Sequence, residues 1–288
     1  MARFVIPALI VLLPLGFLAG MVAIDRVPGL PGTGYDYVLH VDLPSAEPQV
    51  GLPTVGGPQD KSRPLVVIDP GHGGHDPGAS GWGQVEKNVV LDIARDIRDR
   101  LLAEGGVRVA LTREDDKYLL YAERTGIARR LDADLFISVH ADSAENDRAR
   151  GASVYVLSEK GSSQAAERFA ARQNSADRIN GVMVKDNNDA VGQILLDLSQ
   201  RGAQAGSEEM ARLILREIDG EMRVHSGRVE SAAFAVLKAP DVPSVLFETG
   251  YINNREDAAW LASAEGRRAI AQSAARAIRA FLARQSVN

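Results

Sequence analysis

The chain has 288 residues, 45% of them hydrophobic, with a formal net charge of -5 and a pI of about 5.6. Its length and apolar content suit one sizeable core or at most two small domains, and its acidic balance argues against a nucleic-acid partner. Because the chain has no cysteine, disulfides and thiolate ligands are excluded, and a zinc site would have to use His, Asp or Glu.

The chain begins with an uncharged apolar run at residues 4–24, which follows Arg3 and ends before Asp25. A bilayer span takes roughly 20 residues, whereas the apolar core of a signal peptide usually has roughly 7–15. A buried core helix is the alternative, but the terminal position and the positive flank favour export. We therefore predict a signal peptide or membrane anchor at residues 1–25 and a location in the periplasm or cell envelope.

The rest of the chain divides into a linker and a folded domain. Residues 26–63 are rich in Pro and Gly, which is typical of a linker. From residue 64 to residue 288, apolar runs of strand length alternate with segments of helical period. The predicted strands are residues 65–68, 107–111, 135–139, 152–157, 234–237 and 244–247, and the predicted helices are residues 86–103, 121–131, 164–179, 191–218 and 265–283. This alternation predicts an α/β fold of three layers, α/β/α, with a mostly parallel twisted sheet.

One segment, at about residues 159–207, interrupts the alternation with polar, helix-prone sequence. It adds roughly 50 residues between two core elements, and an insertion of that size usually has a function or is mobile. We therefore treat it as a helical insertion in the domain.

Three predicted strands lead directly into residues suited to metal chemistry. His72 follows the first strand, His140 follows the strand at 135–139, and Glu248 follows the last strand. Ligand-binding residues of open α/β sheets gather at the carboxyl ends of parallel strands, and Glu86 opens the helix after the first strand. Together, His72, Glu86 and His140 could hold Zn²⁺, with Glu248 as the general base of a hydrolase.

Each of these residues also has an ordinary explanation when it is taken alone. His72 could be a surface loop residue and His140 a hydrogen-bonded histidine at the start of a loop. Glu86 could be a first-turn acid that the helix dipole stabilises. Only Glu248 is costly without a site, since a carboxylate after a buried strand needs compensation.

Neighbouring polar residues could support the site. We expect Asp69 to orient His72 and Asp142 to orient His140, as carboxylates often orient metal-binding imidazoles. His75 is a weaker ligand candidate in the glycine-rich loop, His225 is expected at the surface or in a groove, and His40 lies in the linker.

Four motifs now carry a resemblance to a known family. They are VIDPGHGGHDPGA at residues 67–79, GQVEK at 83–87, FISVHAD at 136–142 and FETGYINN at 247–254. In this order, they resemble the ligand and catalytic segments of the zinc-dependent N-acetylmuramoyl-L-alanine amidases of the bacterial cell-separation type.

The resemblance implies that His72, Glu86 and His140 bind Zn²⁺ and that Glu248 is catalytic. It implies hydrolysis of the amide between N-acetylmuramic acid and L-alanine of the peptidoglycan stem peptide, for cell-wall remodelling and cell separation. Two alternatives remain: an inert peptidoglycan-binding envelope protein, and another zinc peptidoglycan hydrolase such as a carboxypeptidase.

The insertion resembles a regulatory helix of that family, which covers the site until an activator protein moves it and which can offer a glutamate to the zinc. The matching helix is at residues 165–174, and Gln173 stands where we look for that glutamate. Because a neutral amide is a poorer zinc ligand than a carboxylate, we expect the helix to occlude the site sterically or through Glu167.

Overall fold

The computed structural model describes residues 50–175, 190–239 and 241–285. The predicted N-terminal segment, most of the linker and the end of the predicted helix at 164–179 lie outside these residues, so the division into domains stays a prediction. Among the helices of the described part, none has the length and apolar character needed to cross a membrane.

Strands and helices alternate through the described chain. The strands are β1 Leu65–Pro70, β2 Ser80–Gly81, β3 Gln84–Val85, β4 Arg108–Leu111, β5 Leu135–His140, β6 Ser153–Leu157, β7 Glu230–Ala232 and β8 Ser244–Glu248. The helices are α1 Glu86–Glu104, α2 Tyr121–Arg130, α3 Gln164–Gln173, α4 Ala190–Ile218, α5 Arg255–Ala262 and α6 Ala264–Gln285, with a 3₁₀ helix at Ala235–Leu237.

The main sheet has six strands in the order β4-β1-β5-β8-β6-β7. Strands β4, β1, β5 and β8 are parallel neighbours, β6 runs antiparallel to β8, and β7 is parallel to β6. The predicted α/β fold with a mostly parallel sheet is confirmed. A separate two-stranded hairpin, β2–β3, precedes α1.

Helices cover both faces of the sheet, which explains the unbroken apolar runs of the central strands. Val66 and Ile68 of β1 belong to one core cluster with residues of α1, α4 and α6, whereas Val67 belongs to a second cluster with residues of α2 and α3. All three side chains are fully buried. Successive side chains of β1 therefore point to opposite faces of the sheet, and the helices on these two faces form the outer layers of the predicted three-layer fold.

Two predicted elements differ from the structure. The strand predicted at 234–237 is wrong, because β7 lies just before it and residues 235–237 form the 3₁₀ helix. Phe234 is buried against the rings of Tyr155 and Phe169 and not by strand pairing, so its apolar character was not a sign of a strand. The helix predicted from residue 164 ends at Gln173, since Asn174 bonds to the backbone of residues 233 and 235.

Candidate active site

Strand order and register bring the predicted site residues to one edge of the sheet. Strand β5 lies between β1 and β8, and His140 is the register partner of Glu248. The loop after β1 is joined to β5 by a bond of 3.0 Å from the Gly71 N–H to the Val139 carbonyl. The three strand ends that the sequence singled out are therefore neighbours.

Two imidazoles and one carboxylate meet at this edge. Oε1 of Glu86 lies 3.2 Å from Nε2 of His72 and 3.1 Å from Nδ1 of His140. One ligand atom from each of the three residues lies within 4.8 Å of the other two, and all three side chains are buried. The geometry assembles three groups that could hold one metal ion, from positions that are distant in the sequence.

Backbone donors fix the Glu86 carboxylate. Its Oε2 accepts the Ala79 N–H at 2.8 Å, and its Oε1 accepts the Ala141 N–H at 2.9 Å. Burial alone would raise the pKa of Glu86, but the charge of His72 and the close contacts with both imidazoles hold this pKa well below its usual value. The carboxylate therefore stays charged, and it faces the space between the two rings.

Asp76 orients His72. The sequence predicts Asp69 for this role, and that prediction is wrong. Nδ1 of His72 lies 2.8 Å from Oδ2 of Asp76, which leaves Nε2 for the group with Glu86. Burial would lower the pKa of His72, but the Glu86 and Asp76 carboxylates outweigh burial and raise the pKa to about 10. A bound cation would compete with this proton, since imidazole binds metals in its neutral form.

Asp69 lies beneath the site in a buried network. Its carboxylate accepts bonds from Thr112 at 2.6 Å, Arg124 at 2.8 Å and Ser138 at 2.8 Å. Burial would raise the pKa of Asp69, but the Arg124 charge and these donors lower it. The network ties β1 to β5 and to α2.

Two buried arginines hold the backbone of the His72 loop. Arg124 donates to the carbonyls of Pro70 at 2.9 Å and His72 at 2.8 Å. Arg113 donates to the carbonyls of Pro70 at 3.0 Å and Gly71 at 2.7 Å. Sequence reasoning missed both arginines, because neither belongs to a motif and their role depends on contacts between distant segments.

Glu248 is fully buried beside the three-residue group. Its Oε1 accepts the Asp142 N–H at 2.7 Å, and its Oε2 has no hydrogen-bond partner. Burial first, and then the charges of Glu86 and Asp142, raise the pKa of Glu248 well above its usual value. Asp142 thus supports Glu248 through its backbone, while its carboxylate lies 3.6 Å from Arg172. The prediction that the Asp142 carboxylate orients His140 is therefore wrong.

Helix α3 closes one side of the site. Nε2 of Gln173 lies 3.4 Å from Nδ1 of His140, and the Tyr121 hydroxyl donates to the Gln173 carbonyl. Arg168 pairs with Glu145, at 2.6 Å, in the loop that follows β5. The helix is therefore held over the site by its own polar contacts.

Glu167 is placed at the other end of α3. Its side chain is exposed and accepts the Gly161 N–H at 3.2 Å. Occlusion through Glu167 is thus contradicted by the structure, and Gln173, which is buried against His140, is the residue of the helix that reaches the site.

The other histidines lie outside the three-residue group. The His75 ring packs 4.2 Å from the Tyr118 ring, and the His225 ring lies 5.1 Å from the Tyr251 ring, measured between centroids. His40 is outside the described residues. Neither described histidine belongs to the candidate metal group.

The donor set fits a zinc ion. Nitrogen and carboxylate oxygen are the ligands that Zn²⁺ takes in the absence of cysteine, and Nε2 of His72 is buried without a hydrogen-bond partner. A single His–Glu–His group with a second, protonatable carboxylate beside it is the donor arrangement of a catalytic site that retains an open position. Fold and site together define an α/β protein with a candidate metal site of the kind found in hydrolases.

Comparison with known proteins gives the family. Residues 66–280 match the N-acetylmuramoyl-L-alanine amidase family. The chain is 40% identical over 265 residues to the amidase AmiC of Neisseria meningitidis, which covers 91% of this chain and 63% of that protein. It is 42% identical over 216 residues to AmiA of Escherichia coli, which covers 74% of each. The chain belongs to the N-acetylmuramoyl-L-alanine amidase family, as its motifs predicted.

A solved relative supports the fold. AmiC2 of Nostoc punctiforme, an N-acetylmuramoyl-L-alanine amidase, superposes with a TM-score of 0.55 at 30% identity, covering 79% of this chain and 99% of that one. The alignment covers 63% of the Neisseria protein, which is less than two thirds of its length. The similarity to that protein therefore concerns only the region that the two chains share.

Proposed function

We propose that this protein hydrolyses the amide between N-acetylmuramic acid and L-alanine of the peptidoglycan stem peptide, in cell-wall remodelling and cell separation. Family membership supports the reaction class. The observation that carries the proposal is the meeting of His72, Glu86 and His140 beside the Oε2 atom of Glu248, which is buried without a partner. This arrangement combines a metal-ligand set with a proton acceptor.

His72, Glu86 and His140 would hold a zinc ion. The ion would polarise a water molecule and the scissile carbonyl. The chain supplies the orientation: Asp76 holds the His72 ring through Nδ1, and the Ala79 and Ala141 N–H groups hold the Glu86 carboxylate. Such supporting contacts fix both the direction and the basicity of the ligands.

Glu248 would move the proton. Its Oε2 takes a proton from the attacking water and passes it to the amide nitrogen that leaves with L-alanine. Burial raises the pKa of Glu248 above its usual value, which is the direction that a carboxyl group needs if it is to accept a proton and then donate it. The Asp142 N–H keeps the other oxygen in place.

The location of the protein follows from its proposed substrate. Peptidoglycan lies outside the cytoplasmic membrane, and the apolar run at residues 4–24 would direct export. We propose that the protein acts in the periplasm or cell envelope, either released or attached to the membrane through residues 1–25.

We further propose that α3 restrains the enzyme and that an activator protein displaces it. Gln173 and the ion pair between Arg168 and Glu145 support this, because they hold the helix against His140 and the loop after β5. A neutral amide blocks the site by occupying space and competes weakly as a ligand.

The full-length protein incubated with purified sacculi, with and without a chelator, tests the reaction. Release of intact stem peptides that begin with L-alanine, stopped by the chelator, is expected. Release of a terminal D-amino acid would instead identify a carboxypeptidase. Binding to sacculi without any released fragment, both by the zinc-loaded protein and by a folded, zinc-loaded variant that lacks about residues 159–198, would identify an inert binding protein.

A further inference from the structure

We propose that Trp82 is a platform on which a pyranose ring of the glycan strand stacks, beside the amidase site. The inference rests on the proposed function for the identity of the substrate. It assigns a separate task to the β2–β3 hairpin, which is recognition of the sugar and not cleavage of the amide.

The backbone of Trp82 adopts a left-handed conformation, which glycine, asparagine and aspartate adopt more readily than a bulky residue does. Ser80 pairs with Val85 and Gly81 with Gln84, so Trp82 and Gly83 form a two-residue hairpin turn. Their φ angles are 51° and 79°. A turn with two left-handed residues favours Asn-Gly or Asp-Gly, and a bulky residue at the first position is disfavoured. Strain of this kind is typically retained where a side chain has a function.

The side chain is exposed and yet held in place. Trp82 is 61% exposed, and among the described residues it is one of two large hydrophobic side chains with high exposure, Leu52 being the other. The indole Nε1 donates to the Asn253 carbonyl at 3.0 Å, and the guanidinium carbon of Arg255 lies 5.5 Å from the ring centroid. The ring is therefore pre-ordered while most of it faces solvent, which reduces the entropy cost of binding a ligand.

The hairpin rests directly on the segment that follows Glu248. A Cβ atom on Gly81 would lie 2.5 Å from the Ile252 carbonyl oxygen, so only glycine permits this approach. Strand β3 then leads without a break into Glu86, the first residue of α1. Trp82 is thus attached to two of the segments that carry the proposed chemistry.

Asn253 extends this support to the third segment. Its amide donates to the Ala144 carbonyl at 2.9 Å and accepts the Ala144 N–H at 3.0 Å, and Ala144 lies in the loop after His140. The position of the indole is therefore coupled to the loops of all three strand ends.

The chemistry of the substrate places a sugar close to the bond that is cut. The scissile amide joins L-alanine to a lactyl group carried on the muramic acid ring, so a pyranose always lies next to the reacting carbonyl. The apolar C–H face of a pyranose packs well on a flat indole, whose N–H can remain hydrogen-bonded elsewhere. A peptide is more commonly recognised through strand edges or side-chain pockets, which a single exposed indole does not provide.

Binding to an uncleavable saccharide tests the proposal. Trp260→Phe leaves Trp82 as the single tryptophan of the chain. We expect chitotetraose, a tetramer of N-acetylglucosamine, to change its fluorescence saturably. In calorimetric titrations of otherwise unchanged protein, Trp82→Asn should bind chitotetraose about tenfold more weakly, Trp82→Phe should restore part of the affinity, and Leu52→Asn should match the wild type.

Stability and kinetics separate recognition from a structural role. Because asparagine suits the turn, Trp82→Asn should melt at the same or a higher temperature than the wild type. On sacculi it should raise KM with little change in kcat. Unchanged chitotetraose affinity in Trp82→Asn, or a Trp82 response to a free stem peptide but not to chitotetraose, would overturn the proposal.

The saccharide titration does not depend on turnover. If a folded, zinc-loaded variant without about residues 159–198 binds chitotetraose through Trp82 but leaves sacculi intact, the amidase activity is contradicted and the platform still stands. If the protein cleaves sacculi but chitotetraose does not change the fluorescence of Trp82, only the platform is contradicted.

Discussion

A Cβ atom on Gly71 would lie 2.3 Å from Cε1 of the His140 ring. The ring of one proposed ligand therefore rests on the backbone of the loop that carries the other, His72. This contact places the two imidazoles at right angles, with their centroids 5.0 Å apart. The glycine before His72 thus permits the approach of the second ligand.

Gly71→Ala should displace His140. The backbone of the loop cannot yield easily, because Arg113 and Arg124 hold its carbonyls, so we expect a loss of about 1–3 kcal/mol in the free energy of unfolding. We also expect zinc affinity, measured by competition with a chromogenic chelator, to fall at least about tenfold. Gly126→Ala is the control: no atom lies within 4 Å of its added Cβ, and it should keep zinc affinity and gain about 0.5–1 kcal/mol.

Glu248→Gln should abolish turnover and leave zinc bound, since it removes a base and no proposed ligand. The expected loss in kcat on sacculi is at least about 10²–10⁴-fold. Zinc content by mass spectrometry and an unchanged melting temperature are the controls. Substantial activity in this variant would refute the assignment of the base.

His72→Ala and His140→Ala should lose zinc and activity together, because two of three ligands cannot hold the ion at the site. A chelator should inactivate the wild type and lower its melting temperature, and added zinc should restore both. His75→Ala, whose ring packs on Tyr118, should retain metal and activity. Full activity of either ligand variant without bound zinc would rule out the metal site.

Gln173→Ala should raise basal activity on sacculi, since it removes the side chain that reaches His140. Glu167→Ala changes the exposed end of the same helix and should leave basal activity unchanged. Deleting about residues 159–198 should raise activity further. If the deletion variant folds and binds zinc but shows only wild-type activity, the restraint by α3 is refuted.

Thr112→Val should make stability less dependent on pH. The pKa of Asp69 is lowered in the folded state, although burial opposes this, because Arg124 and the hydroxyl donors favour the charged form. Its charge therefore stabilises the fold above the unfolded-state pKa of about 3.9, and this stabilisation is lost as pH falls through the folded-state pKa.

Removing the Thr112 hydroxyl should cost about 1.5–3 kcal/mol near neutral pH. The difference from the wild type should narrow in acid, as Asp69 becomes protonated in both proteins. Urea unfolding of the two proteins, from about pH 7 to well below the unfolded-state pKa of about 3.9, measures the difference in the free energy of unfolding. A difference that stays constant over this range would show that the bond to Thr112 does not depend on the Asp69 charge.

Much of the fold was predictable because its signals are local. The apolar runs ending near Ile68, Val139 and Phe247 predicted the three central strands, and helical periods predicted α1 and α6 within one or two residues of their observed ends. The hairpin around Trp82 and the strand β7 escaped because they are too short to show a period. Phe234 misled because burial by neighbouring rings gives the same apolar signal as burial in a sheet.

The sequence by itself determined the candidate site groups and their order: two imidazoles and two carboxylates, each at the end of a strand or the start of a helix, in the motifs of an amidase family. The tertiary structure alone decided which group supports which. The contacts that it set are those of Asp76 with His72, Asp69 with Arg124, the Asp142 N–H with Glu248, and Gln173 with His140. Strand and helix patterns depend on neighbours along the chain, whereas a hydrogen bond depends on positions within a few tenths of an ångström. Only the packing of distant segments sets those positions.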